Sequence, residues 1–450
     1  MRKLLLGLFS LLTYFVTAAQ FQDMQDTSWK KIYRETPARI NDLVHTKLDV
    51  KPDFSKSHVY GKAWITLKPH FYSTDSLTLD AKGMEIKKIA LVKGTQQSSL
   101  KYKYDDLKLR VQLDKTYKAG ESYTIYIEYT AKPDEYEAKY AEGAMLGIKG
   151  MFFINPKGEI KDKPTQIWTQ GETESSSAWF PTIDNTAQKS TQELTVTVDN
   201  KYVTLSNGKL ISQKKNTDGT RSDYWKMDLP HSPYLFFLGV GEYAVVKDTW
   251  KGKEVSYYVE KEYGPVARKI FGNTPEMMTF FSTITGIEYP WIKYSQITGR
   301  DFVAGAMENT TATLHQEGAQ QDARELIDGN HWEGTIAHEL FHHWFGDYVT
   351  AESWSNLTVN ESFANYSETL WDEYKYGKDA GDATNYQSMQ GYLSSGSENK
   401  DLVRFHYHDR EEMFDAVSYN KGGRILHMLR NYIGNEAFNK AMNLYLATNK

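Results

Sequence analysis

Apolar and polar residues alternate through the first half of the chain, from about Asn41 to Val246. A period of two is typical of β-strands that bury one face. Turn sequences such as Lys118-Ala119-Gly120 and Asn207-Gly208 separate the alternating segments. The clearest segments are AWITL (63–67), LKLRVQL (107–113), YTIYIEY (123–129) and LTVTV (194–198). This pattern predicts an antiparallel β domain.

The spacing of apolar residues becomes helical after Tyr257. The stretch Thr274-Pro275-Glu276 predicts a helix start, with a capping hydroxyl and a proline at the first helical position. Longer helical patterns cover residues 333–345, 361–374 and 421–433. We therefore expect a multidomain α+β protein, with a β-rich domain over residues 20–246 and a mainly helical domain over residues 247–450. The helical pattern at 441–447 has no stop signal, so we expect the second domain to be truncated at its C-terminus.

The first residues, MRKLLLGLFSLLTYFVTAAQ, have the three parts of a secretory signal peptide. Arg2 and Lys3 give a positive start, an apolar run follows, and Thr17-Ala18-Ala19 supplies small residues for cleavage. We expect residues 1–19 to be removed and the protein to be exported, to a bacterial periplasm or the exterior, without stable membrane insertion afterwards. An uncleaved anchor helix is the alternative.

Composition narrows the class of protein. The 450 residues are 40% hydrophobic and 25% charged, and the formal net charge is only -5. These values suit a globular protein and argue against a nucleic-acid partner or an anionic membrane surface. The chain has no cysteine. Disulfides, cysteine-ligated zinc and a thiol nucleophile are therefore excluded.

The segment HELFHH, from His338 to His343, is the main candidate for chemistry. His338 and His342 are four residues apart, so on a helix both imidazoles share one face and can reach one metal ion. Glu339 lies about 100° around the helix, where a base for a zinc-activated water is needed. His343 lies on the wrong face for that ion and is assigned to packing or solvent. A polar helix that is merely rich in histidine is the alternative.

A third ligand strengthens the metal hypothesis. Glu361 stands nineteen positions after His342, with eighteen residues between them, at the start of a second helical pattern. Two histidines and one carboxylate form a common catalytic zinc set, which predicts one zinc ion per chain. Glu368 lies seven residues further on the same face and is a candidate to orient a ligating histidine. An exposed helix glutamate is the alternative for Glu368.

Further motifs occur in a fixed order along the chain: TQGE (169–172), GAMEN (305–309), HExxH with the distant glutamate, and SYNKGG (418–423). Together they resemble the zinc aminopeptidases of the aminopeptidase N and leukotriene hydrolase family. The resemblance covers residues 41–450. It implies a thermolysin-like catalytic domain after the β domain, and peptide substrates with a free N-terminus.

The resemblance also implies roles for individual residues. Glu339 is expected to be the general base, and Tyr419 is expected to donate to the oxyanion. Glu308 and Glu172 are expected to bind the substrate α-ammonium, and Gln170 is expected to contact the first side chain. The remaining candidate substrate-binding residues are Gly305, Ala306, Met307 and Asn309.

The sequence departs from the family pattern near the metal ligands. His343, Asp347, Thr358, Val359 and Ser362 stand where the family usually has other residues. None of them is a predicted ligand. Three alternatives to an aminopeptidase remain at this point: a thermolysin-like endopeptidase, a bifunctional epoxide hydrolase and a non-catalytic peptide-binding relative.

Overall fold

The computed structural model describes residues 27–141 and 147–450. The predicted signal peptide lies outside the described residues. Within them, no helix combines the length and the apolar character needed to cross a bilayer.

The first part of the chain is built from strands, as the alternating pattern predicts. Its strands are β1 Asn41–Asp53, β2 His58–Pro69, β3 Thr74–Asp80, β4 Met84–Lys93, β5 Gln96–Ser99, β6 Tyr102–Tyr104, β7 Lys108–Tyr117, β8 Tyr123–Ala131, β9 Met151–Ile154, β10 Gln166–Thr169, β11 Ser190–Asp199, β12 Val203–Ser206, β13 Lys209–Lys215, β14 Thr220–His231 and β15 Leu238–Gly241. A short α-helix, α1 Pro133–Tyr140, lies between β8 and β9.

These strands form three sheets in the described part of the chain. The largest has the order β13-β14-β11-β1-β2-β8-β4-β5, and two smaller sheets have the orders β12-β15-β10-β9 and β3-β7-β6. The pairing is antiparallel except between β1 and β11, which run parallel. The long excursion from β2 to β10 makes this parallel return possible, because a parallel pair needs a crossover connection.

A mixed sheet opens the second part. Its strands are β16 Tyr243–Trp250, β17 Lys253–Glu260, β18 Lys293–Gly299, β19 Ala306–Met307 and β20 Ala312–Gln316, in the order β16-β17-β18-β20-β19. The predicted domain boundary at Val246 falls inside β16, and the division of the chain there stays a prediction. Strand β19 lies at the sheet edge and contains the centre of the GAMEN segment.

Helices dominate the rest of the chain. They are α2 Ala267–Phe271, α3 Thr274–Thr285, α4 Glu333–Phe341, α5 Thr358–Tyr376, α6 Lys378–Ser394, α7 Gly422–Ile433 and α8 Asn435–Thr448. The predicted helix at 274 exists, but the predicted cap is wrong. Thr274 is the first helical residue, and its hydroxyl donates to the carbonyl of Phe271 at 2.7 Å instead of capping the helix N-terminus.

Two apolar cores hold the parts together. One fills the β domain and continues into the second part through Ile297, Met307 and Leu314. The other lies among the helices and includes Phe341 and Trp344, which follow the zinc-motif histidine His338 along the chain. Helix α4, which carries the first of the predicted metal ligands, is therefore fixed by packing on one side, and its polar side is left for the site.

Candidate active site

Helices α4 and α5 bring the predicted metal ligands together. His338 and His342 project from the end of α4, and Glu361 projects from the first turns of α5. Oε2 of Glu361 lies 3.3 Å from Nε2 of His338 and 3.5 Å from Nε2 of His342. The three ligand atoms lie within 4.8 Å of one another. The alternative, a polar helix that is merely rich in histidine, gives no reason for these three side chains to meet at one point.

Both imidazoles are oriented through their other nitrogen. Nδ1 of His338 lies 2.8 Å from Oε1 of Glu368, and Nδ1 of His342 lies 3.0 Å from the carbonyl oxygen of Phe345. Each Nδ1 therefore donates a proton to its acceptor, and each Nε2 is directed toward Glu361. This is the arrangement in which histidine binds zinc, so the donor set fits that ion.

The electrostatics of the triad also suit a divalent cation. Burial alone would raise the pKa of Glu361, but His342 and His338 outweigh it and lower the pKa to about 2. Burial lowers the pKa of His338, yet hydrogen bonds to Glu361 and Glu368 raise it well above its usual value. The carboxylate thus attracts positive charge to the point where the three ligand atoms meet, and a zinc ion would supply that charge.

The predicted base stands beside the triad. Glu339 is buried, and among the described residues its Oε2 has no hydrogen-bond partner. Burial raises the pKa of Glu339 to about 8, against the influence of His338 and His342. A side-chain oxygen of Glu339 lies within 4.8 Å of ligand atoms of Glu308 and His342. Glu339 therefore faces the space between the metal ligands and the GAMEN segment.

Two further glutamates line the same space. Glu172 and Glu308 are both buried, and burial raises the pKa of each. In the described part of the chain, Oε1 of Glu172 has no hydrogen-bond partner. A buried carboxylate oxygen without a partner is costly, so this part of the site is suited to a cation.

The cavity between these groups has a volume of about 230 Å³. Its lining includes the predicted ligands and base, together with Glu172, Gly305, Ala306, Glu308, Glu368 and Tyr419. Three predicted substrate residues, Gln170, Met307 and Asn309, are not part of the lining. The amide nitrogen of Gln170 lies 3.3 Å from the sulfur of Met307, and Asn309 is fully buried. Their contact with substrate stays a prediction.

Tyr419 is positioned by a single π-helical turn, Val417–Lys421, immediately before α7. Its ring stacks on that of His338, with centroids 5.9 Å apart and an interplanar angle of 10°. Burial, with Glu361 nearby, raises the pKa of Tyr419 well above its usual value. The phenol therefore keeps its proton and can donate it in a hydrogen bond.

The two glycines after this turn let it approach α5. A Cβ on Gly422 would lie 1.7 Å from Oγ of Ser362, and a Cβ on Gly423 would lie 2.5 Å from Oδ1 of Asn365. Ser362 Oγ in turn donates to the carbonyl oxygen of Ser418 at 2.6 Å. The residue next to the predicted metal ligand Glu361 thus holds the segment that carries Tyr419.

His343 has the packing role that the sequence left open. It is buried, its Nδ1 donates to the carbonyl of Glu339 at 3.2 Å, and its Nε2 accepts from the backbone N–H of Thr311 at 2.9 Å. Burial lowers the pKa of His343 to about 3. The 3.6 Å approach to Asp347 is therefore not an ion pair, because the imidazole is neutral.

Some residues at the site were not predicted from the sequence. Thr335 lines the cavity, and its place three residues before His338 could have revealed this, since helical neighbours at that spacing share a face. Tyr234 and Asn360 lie behind the cavity wall and touch each other, with Nδ2 of Asn360 donating to the Tyr234 hydroxyl at 3.2 Å. No local pattern signals the contribution of Tyr234, which comes from a loop of the β domain.

The fold and the donor set together define the class of protein, a metallopeptidase built of two parts. Comparison with known proteins agrees with this class. A model of the peptidase M1 N-terminal domain matches residues 42–235, and a model of the peptidase family M1 domain matches residues 270–450. The chain belongs to peptidase family M1.

Individual relatives are similar over most of this chain. It is 27% identical over 415 residues to "Probable aminopeptidase 2" of Sulfurisphaera tokodaii, covering 90% of this chain and 49% of that protein. It covers 35% of the endoplasmic reticulum aminopeptidase 1 of Rattus norvegicus, at 28% identity over 73% of this chain. The chain thus spans about half or less of the length of these curated relatives.

A crystal structure has the same fold over nearly the whole length of both chains. The M1 zinc metallopeptidase from Deinococcus radiodurans superposes with a TM-score of 0.74 at 20% sequence identity, covering 92% of this chain and 88% of that one. At this identity the likeness concerns the fold alone.

Proposed function

We propose that this protein is a zinc aminopeptidase that removes the N-terminal residue from peptides and holds one zinc ion per chain. The observation that carries the proposal is the pair of buried carboxylates, Glu172 and Glu308, which line the same cavity as the ligand triad. A protonated peptide N-terminus would satisfy them, whereas an internal peptide segment would leave them unpaired. Membership of family M1 and the aminopeptidase relatives support the same reading.

His338, His342 and Glu361 would hold the zinc ion. When bound, zinc supplies Lewis acidity for a water molecule and for the scissile carbonyl group. The chain's own groups do the rest of the work. Glu339, which is buried and lines the cavity beside the predicted ligands, accepts the proton of the water and passes it to the leaving amine. Tyr419 donates a hydrogen bond to the developing oxyanion.

The substrate backbone would run along the GAMEN edge of the sheet. Strand β19 pairs on one side only, with β20, so its other edge is available to an extended peptide. A Cβ on Gly305 would meet no atom within 4 Å, which leaves room for the chain of a substrate there. Binding along this edge would bring the first peptide bond toward Glu339 and the α-ammonium toward Glu308.

Hydrolysis of aminoacyl anilides tests the proposal. The metal-loaded protein should cleave the Ala, Leu and Met anilides and leave their N-acetyl forms intact, and chelation should abolish activity. Glu308→Ala should lower kcat/KM for the free forms by about ten- to a hundredfold, because it removes a hydrogen bond to a charged group. Glu288→Ala, at an exposed glutamate outside the cavity lining, serves as the control. Equal cleavage of free and acetylated substrates would contradict the aminopeptidase assignment and favour an endopeptidase.

We also propose that the protein is exported after removal of residues 1–19. The support is the order of charged, apolar and small residues at the N-terminus. Expression of the full chain in a bacterial host should yield a periplasmic or secreted form whose N-terminal residue is Gln20. Retention of Met1 in a membrane fraction would instead favour the uncleaved anchor.

A further inference from the structure

Tyr234 is a buried tyrosine that none of the proposed catalytic steps uses. It lies in a short 3-10 turn, Pro233–Leu235, after strand β14 of the β domain. Its side chain is only 1% exposed, so the cost of burying its hydroxyl has to be offset by hydrogen bonds. The partners of that hydroxyl therefore indicate what the residue does.

The hydroxyl lies among three groups of the active-site region. Nδ2 of Asn360 donates to it at 3.2 Å. The oxygen lies 3.4 Å from Oε1 of Glu308 and 3.4 Å from the carbonyl oxygen of Gly346. Because a phenol has one proton and Asn360 supplies another, the hydroxyl can donate to one of the two acceptors at a time.

The backbone of the same turn supports the other ammonium-binding candidate. A Cβ on Gly171 would lie 2.2 Å from the carbonyl oxygen of Tyr234, so the segment just before Glu172 packs directly on this turn. The hydroxyl of Ser176 donates to the carbonyl of Pro233 at 2.8 Å. One short turn thus contacts both segments that carry the buried carboxylates Glu172 and Glu308.

Asn360 extends this connection to the metal-binding helix. It directly precedes the ligand Glu361 in α5, and its Oδ1 accepts from the backbone N–H of Ala351 at 3.1 Å. Since both ends of its amide are engaged, Asn360 presents its N–H to Tyr234 in a fixed direction. The Tyr234 proton is then directed away from Asn360, toward Glu308 or Gly346.

We propose that Tyr234 is a positioning residue for the exopeptidase site: its hydroxyl fixes the carboxylate of Glu308 so that the second oxygen faces the substrate α-ammonium. The inference rests on the proposed aminopeptidase function. Tyr234 does not touch the substrate, and it acts through Glu308. A carboxylate held at one oxygen loses less rotational freedom on binding an ammonium group, which favours affinity for the free N-terminus.

Tyr234→Phe removes only the hydroxyl. For a Leu anilide we expect KM to rise roughly three- to tenfold with kcat changed less than twofold, as for the loss of one hydrogen bond. Binding of L-leucinol, an amine without a scissile bond, should weaken by the same factor in calorimetry. Zinc content should be unchanged. Tyr243→Phe is the matched control, since it is also a buried tyrosine, and its hydroxyl donates to the carbonyl of Thr298.

A double variant decides whether the effect runs through Glu308. In a Glu308→Ala background, Tyr234→Phe should have no further effect on KM or on leucinol binding. An equal effect in both backgrounds would overturn the proposal and assign the hydroxyl to Gly346. Unfolding or zinc loss in Tyr234→Phe, but not in Tyr243→Phe, would overturn it as well, because the role would then be structural.

The proposed function and this inference fail in different ways. If the wild-type protein cleaves free and N-acetyl substrates equally, the aminopeptidase assignment fails. If it discriminates between them while Tyr234→Phe keeps wild-type KM and leucinol affinity, only the positioning role is wrong.

Discussion

Oε1 of Glu368 lies 2.8 Å from Nδ1 of His338, while Oε2 of Glu361 lies 3.3 Å from Nε2 of the same ring. Both glutamates belong to α5, so one helix holds both nitrogens of one imidazole. The contact at Nδ1 therefore orients the ring of His338 before a metal ion binds at Nε2. This orientation lowers the entropic cost of metal binding.

Removal of Glu368 should weaken zinc binding without abolishing it. We expect Glu368→Ala to lower zinc affinity by roughly 10- to 100-fold, because His338 loses the acceptor that orients it. Competition with a chromophoric chelator measures the change. Glu436→Ala, at an exposed glutamate of α8, is the control. A dissociation constant equal to that of the wild type would mean that packing alone orients the ring.

The local parts of this site could be predicted from the sequence, because helical periodicity fixes which residues share a face. His338 with His342, and Glu361 with Glu368, follow from spacing alone. The fold class followed similarly from the change of period. A local sequence pattern does not reveal which distant segments pack against each other. The parallel pairing of β1 with β11 and the contact of Tyr234 with Asn360 depend on how separate elements pack, and no local spacing encodes them.

Two departures from the family pattern also make contacts between segments that are distant in the sequence. Ser362 and His343 are two of the positions at which the sequence departs from that pattern. In the structure Ser362 holds the Tyr419 segment through Ser418, and His343 links the zinc helix to Thr311 just after GAMEN. Their partners lie 56 and 32 residues away in the chain, so no local pattern in the sequence reveals these two contacts.

Glu339→Gln should separate metal binding from turnover. The amide is nearly the same size but cannot accept the proton, so kcat should fall by roughly 10²–10⁴. Zinc content, measured by atomic absorption, should stay at one ion per chain because Glu339 is not a ligand. Glu333→Gln, in the same helix but outside the cavity lining, should keep wild-type kcat. Full activity of Glu339→Gln would exclude it as the base.

Tyr419→Phe tests the oxyanion role. Loss of one donor that acts in the transition state should lower kcat by roughly 10²–10³ and change KM little. Steady-state kinetics on a Leu anilide gives both parameters. Tyr392→Phe in the neighbouring helix α6 is the control. If KM rises while kcat holds, Tyr419 binds substrate instead of stabilising the oxyanion.

Acid should destabilise the fold through its buried histidines. Burial lowers the pKa of His231 to about 3, from 6.5 for an ordinary histidine. Between these values the unfolded chain binds a proton that the folded chain does not, so the free energy of unfolding falls as the pH falls from about 6.5. Going from pH 7.5 to 5.0 should cost about 2 kcal/mol at this residue.

Urea unfolding at the two pH values measures this cost. His231→Gln keeps an amide that can donate to Oε1 of Gln192, which the imidazole contacts at 3.1 Å, but it does not titrate. The variant should therefore lose about 2 kcal/mol less stability on acidification than the wild type. The control His408→Gln, at an exposed position, should match the wild type. The same loss in His231→Gln and wild type would contradict the prediction.

The close contact between Gly422 and Ser362 should make a methyl group at position 422 disruptive. A Cβ there would lie 1.7 Å from Oγ of Ser362, so Gly422→Ala should force α7 away from α5 and cost on the order of 1–3 kcal/mol. Both the thermal midpoint and kcat should fall, since Tyr419 moves with this segment. Adding Ser362→Gly removes the clash and should restore much of the midpoint. Gly334→Ala is the matched control, because its Cβ would meet only Oε2 of Glu368, at 3.9 Å, and should stabilise α4 by up to about 1 kcal/mol. If the double variant were no more stable than Gly422→Ala, the contact with Ser362 would not be the cause.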